Sequence, residues 1–110
     1  MYTSAIVTAL VGALVCYFAS KHIKGDISSL HSYHRKNVKD EDVPAFGKEV
    51  GLGTMIIGIA VIIMGAFNAV AVATTVELLT TIGMVIMLIG LVVGSFFTFR
   101  AMKKYNGGIF

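Results

Sequence analysis

Apolar residues fall into three long uncharged runs, Tyr2 to Ser20, Gly51 to Ala73 and Leu78 to Phe99, parted by one long polar stretch and one very short one. The second run, GLGTMIIGIAVIIMGAFNAVAVA, holds 23 residues, and a helix rising about 1.5 Å per residue crosses a ~30 Å bilayer core over that length. Buried strands are much shorter, so each run predicts a membrane-spanning helix. The expected fold is all-α integral membrane: one domain over residues 1–110, with spans at about 2–20, 51–73 and 78–99, a linker at 21–50 and a tail at 100–110.

Small residues recur within the runs. Gly51, Gly58 and Gly65 are seven apart, with Ala69 one turn further, and so line one stripe of a helix. The first run carries Ala5, Ala9, Gly12, Ala13, Cys16 and Ser20 on one face; the third carries Gly83, Gly90 and Gly94, the last two a GxxxG pair. In lipid, hiding leucine gains nothing, so residues that let backbones approach mark the packing faces. Three such faces exceed what two sequential helix contacts require, which predicts a homo-oligomer or a membrane-protein partner.

The polar stretch has its own punctuation. Gly25 then Asp26 predicts a helix stop followed by a new cap. Ile27, Leu30, His31, Tyr33 and His34 fit a short amphipathic helix on the membrane surface, and the basic HRKNVK that overlaps its end favours anionic headgroups. Asp40, Glu41 and Asp42 precede Pro44, which predicts a helix starting near Asp42, with Phe46 at the interface and Lys48 near the headgroups. Thr74 to Glu77 is short enough to make the second and third spans antiparallel neighbours.

Charge orients the bundle. All nine Lys and Arg residues lie in the linker or just after the third run, so the linker and C-terminus are expected in the cytoplasm and the N-terminus outside. No basic residue precedes the first run, which therefore reads as a retained span rather than a secretory signal. Phe96, Phe97, Phe99, Tyr17, Phe18 and Tyr105 form an aromatic belt at the same boundary. With 56% hydrophobic and 14% charged residues there is no room for a soluble enzyme domain. The net charge of +3 is explained by topology rather than by nucleic acid. Cys16 is alone, so no internal disulfide forms.

Candidate chemistry is sparse. His31 and His34 would share a helix face, with His22 upstream and the acids at 40–42 downstream, which makes them weak metal candidates because zinc wants four convergent ligands. Asn68 is the only amide within a run, and an intramembrane polar group needs a partner: an interhelical hydrogen bond, or the lining of a solute path with Thr3, Ser4 and Thr8. Otherwise those three hydroxyls bond their own helix backbone. Neither a catalytic motif nor a phosphate-binding loop occurs, and no cofactor is expected. The function read from the residues is a non-enzymatic membrane protein acting by assembly; the alternative is an oligomeric channel or transporter for a small solute.

The linker HSYHRKNVKDEDVPAFGKEVGLG and the KKYN near the end resemble those of small bacterial three-span membrane proteins grouped as a domain of unknown function. That resemblance implies a three-helix membrane fold in a bacterial plasma membrane and no particular activity. The length is also similar to that of small multidrug exporters, but those have four spans and an essential glutamate in the first, which this chain lacks.

Overall fold

The computed structural model describes residues 2–27 and 37–107. Three helices carry them: α1 (Thr3–Ile23), α2 (Val43–Thr74) and α3 (Leu78–Asn106), each long and apolar enough to cross a membrane. The protein is an all-α, multi-pass membrane protein.

Local chemistry sets the helix ends. After α1, Gly25 takes a left-handed φ of 94°, and its N–H donates to the His22 carbonyl while that of Asp26 reaches back to Lys21, both at 2.9 Å. This paired bonding satisfies carbonyls that the helix end would otherwise leave open, and glycine adopts the required φ without Cβ strain. Before α2, Asp40–Asp42 form a single 3₁₀ turn, and Pro44 occupies the first turn of the helix. No side chain caps α2, so the three acids act as negative charge at its positive end. Thr75 ends α2 with a left-handed φ of 58°, and Val76 and Glu77 lead directly into α3.

The packing is organised by two stripes on α2. Gly51, Gly58 and Gly65 meet α1: a Cβ on Gly51 would lie 2.8 Å from the Ala19 carbonyl, on Gly58 2.6 Å from Cys16 Sγ, and on Gly65 3.1 Å from the Ala5 carbonyl. Gly53 and Ala60, also seven apart, meet α3 at Gly94 and Gly90, and Phe67 continues that line against Gly83. At about 100° of rotation per residue, the two-residue offset between the stripes turns them about 200° apart. Consequently α1 and α3 lie on nearly opposite flanks of α2 and share almost no contact with each other.

Two features add to the expected layout without bearing on where the membrane boundary lies. The third helix does not stop at Phe99 but continues to Asn106, so most of the expected tail is helix. Phe46, expected at the interface, is fully buried in a small core with Val50, Ala101 and Met102, onto which Ile27, Val38 and Tyr105 pack. These two facts have one cause, because the extra turns of α3 bring Ala101, Met102 and Tyr105 over Phe46, whose ring meets that of Tyr105 edge-on at 6.1 Å. Thirty-two residues of α2 span about 48 Å, longer than a bilayer core, and this core occupies the surplus at the basic end.

Candidate functional site

At the end remote from the lysines, one side chain ties all three helices. Ser4 Oγ donates to Asn68 Oδ1 at 2.9 Å, and Asn68 Nδ2 donates to Thr80 Oγ1 at 3.3 Å. Asn68 reaches both neighbours because it lies three residues after Gly65, where α1 is close, and one after Phe67, where α3 is close. Both ends of the amide are thereby used inside the chain, which is the interhelical bond expected of an amide in an apolar span. Ser4 spends its hydroxyl on this bridge rather than on its own helix backbone. Thr54 and Thr74 do bond the carbonyls four residues back, at 2.8 and 2.7 Å.

The six glycines singled out from the sequence all meet in-chain neighbours. Gly51, Gly58 and Gly65 face α1, and Gly83, Gly90 and Gly94 face α2, with Gly94 set 2.5 Å from the Gly53 carbonyl when given a Cβ. The surplus that suggested an oligomer is therefore taken up by α2 contacting a helix on each flank. Gly53, which the sequence reading passed over, is as tightly held: its vacant Cβ position faces Thr98 Oγ1 and lies 2.6 Å from the Gly94 carbonyl. The signal for it was Gly53 and Ala60 at the same spacing of seven as the stripe beside them.

At the basic end the helices protrude as a charged, aromatic collar. Lys21 Nζ lies 5.2 Å from the Tyr17 ring centre, the Arg100 guanidinium 5.5 Å from that of Phe97, and Lys104 Nζ 5.0 Å from that of Tyr105. Such pairing suits long cations whose stems cross apolar surface while their heads reach the headgroup layer. Lys104 also approaches Glu49 at 3.9 Å and Lys21 approaches Asp26 at 4.0 Å. Asn37, within the linker, is fixed to the last turn of α3: its N–H donates to Asn106 Oδ1 at 2.8 Å and its Nδ2 to the Asn106 carbonyl at 3.1 Å. Asn106 is fully buried, and 69 residues separate the pair, so nothing local in the sequence announces it.

Other sequence candidates are placed more simply. His31, His34 and the surface helix proposed around them lie outside the described residues. His22, by contrast, is buried near the end of α1, and its carbonyl faces the vacant Cβ position of Gly47. Among the described residues no cluster of three or more His, Cys, Asp or Glu side chains is placed to hold a metal. Cys16 is a free thiol packed on Gly58, and Glu77 is exposed in the α2–α3 turn.

Comparison with family models, with characterised proteins and with solved structures finds no match for this chain.

Proposed function

We propose that this is a non-enzymatic protein of the bacterial plasma membrane, with its basic end in the cytoplasm, that acts by assembling with a second copy or with another membrane protein. One observation carries the reading: α1 and α3 flank α2 on nearly opposite sides, so each outer helix has a single in-chain neighbour. The rest of its apolar surface turns outward, with Leu10 64% and Val92 71% exposed. Lipid covers such leucine and valine as well as protein does, so what supports assembly is the room beside each outer helix for a further helix to gain dispersion contact. Of the side chains that could have lined a solute path, Ser4 and Asn68 are bonded to each other, and Asn68 is bonded also to Thr80, which favours assembly over transport within one chain.

The test is cross-linking in native membranes. In a Cys16→Ser background, Leu10→Cys or Val92→Cys should give a discrete adduct, matched by a mass above one chain in nanodiscs. A single chain at every concentration, with no adduct from either position, overturns the reading.

A further inference from the structure

One face of the α2–α3 seam is amphipathic along its length. At the basic end a groove of about 380 Å³ is lined by Ala45, Lys48, Glu49, Leu52, Phe97 and Arg100. One turn deeper, the same ridge of α2 passes through Ile56, Ile59 and Ile63 and faces Ile89 and Val93 of α3, bounding an apolar groove of about 330 Å³. The lining positions on α2 step by three or four residues from Lys48 to Ile63, and those on α3 likewise from Arg100 back to Ile86, so both grooves open on one side of the seam. Gly90 against Ala60 forms the floor of the deeper one, which leaves it shallow in side chains and open to an occupant.

The charge at the mouth is unbalanced. Glu49 also lines the groove; its Oε1 lies 3.9 Å from Lys104, and its Oε2 is buried without a hydrogen-bond partner among the described residues. Lys48 and Arg100 are both exposed and, among the described residues, neither has a carboxylate partner; Arg100 only overlies Phe97. Two cations against one carboxylate, itself approached by Lys104, therefore leave a net positive charge at the top of an apolar track, at the basic end of α2 and α3. A helix from a second copy would match the track but not the cations; free phosphate would match the cations but not the track. An anionic glycerophospholipid matches both.

We propose that the α2–α3 groove binds one anionic glycerophospholipid, its phosphate between Lys48 and Arg100 and an acyl chain along Ile56, Ile59 and Val93. This goes beyond the assembly reading and stands or falls separately from it, since it requires only one chain in a membrane. Leu52 and Phe97 form the passage from phosphate to chain, and Phe97 holds the guanidinium of Arg100 toward the groove mouth. Arginine offers a planar fork to a phosphate diester while Lys48 adds a point charge, a division of labour suited to a group carrying a single negative charge.

Native mass spectrometry of the full chain, released from mild detergent with added phosphatidylglycerol or phosphatidylcholine, tests it. The expected result is a retained one-to-one phosphatidylglycerol adduct, with far less phosphatidylcholine. Each basic residue near a membrane surface contributes about 1 kcal/mol, so Lys48→Gln with Arg100→Gln should weaken retention about thirtyfold. Lys24→Gln, on the far flank at α1, should leave it unchanged. Val93→Trp should weaken it by filling the track while keeping both cations, and inorganic phosphate alone should give no adduct. Equal retention of the two lipids, an unchanged adduct in the double variant, or an equal loss in Lys24→Gln overturns the proposal. A phosphate adduct that matches the lipid one also overturns it, reducing the groove to an anion site. Loss of a dimer rather than of lipid in Val93→Trp would give the groove to a second copy.

Discussion

Placing a methyl group at Gly53 should open the α2–α3 seam, whereas placing one at Gly65 should leave the α1–α2 seam nearly intact. The Gly53 Cβ would sit 2.6 Å from the Gly94 carbonyl oxygen and 2.9 Å from the Thr98 nitrogen, both backbone atoms that cannot rotate away. At Gly65 the nearest backbone atoms, the Ala5 carbonyl and the Ala9 nitrogen, are 3.1 Å off, so a few tenths of an ångström suffice. Relieving the Gly53 contacts moves α3 out by roughly 0.5–1 Å, and a gap of that size forfeits about a quarter to a half of each dispersion well along the seam. Overpacking of this kind costs about 1–3 kcal/mol, while alanine in a helix regains about 1 kcal/mol over glycine. Gly53→Ala should therefore be destabilised by up to about 2 kcal/mol, and Gly65→Ala should be neutral or more stable than the parent by up to about 1 kcal/mol. Reversible unfolding in mixed micelles measures both, with the helix content of each variant as a check on folding. If the two variants are equally stable, the close approach is not what holds α2 to α3, and the argument from vacant Cβ positions fails.

Three further outcomes follow from the same contacts. A double-mutant cycle of Ser4→Ala and Asn68→Ala should return a coupling of about 0.6 kcal/mol, the usual value for a hydrogen bond between membrane helices, and a cycle value near zero would show the bridge to be idle. Thr75→Gly should raise stability by roughly 1 kcal/mol, because a β-branched residue is held at φ 58°; a lower midpoint in thermal unfolding would refute the strain. Cysteines at Asn37 and Gly107 in a Cys16→Ser background should resist impermeant thiol reagents in intact cells while one at Thr75 reacts, and labelling of Asn37 from outside would reverse the orientation.

How far the sequence discloses this arrangement depends on the range of each interaction. The spans and the Gly51, Gly58, Gly65 stripe are legible because length and periodicity are local properties. The second stripe was hidden in plain view: its members are Gly53, Ala60 and Phe67, only one of them glycine, and Gly53 reads as part of a GLG start to the span. The packing of Phe46 against the last turns of α3 is not legible, since the charges at Arg100, Lys103 and Lys104 draw attention away from Ala101 and Met102 between them, which pack with Phe46. The Asn37–Asn106 pair joins residues 69 apart and follows only once the helices are in register. Asn68 was recognised as needing a partner, yet its choice of Ser4 and Thr80 depends on both seams at once.

Placing α1 and α3 on separate flanks of α2 makes the energetics of the molecule modular. Substitutions on the Gly51, Gly58, Gly65 side and on the Gly53, Ala60, Phe67 side share no partner, so their free-energy effects should simply sum, as for distant sites in any protein. The α2–α3 hairpin is then a unit able to stand in the membrane before α1 docks, and either seam is free to change in sequence without compensation in the other. Two places are exceptions, the Phe46 core, where Ile27 and Tyr105 pack on the same cluster, and Asn68. Bonded to both outer helices, Asn68 is where a change on one side is felt on the other at the far end, and departures from additivity should concentrate at these two places.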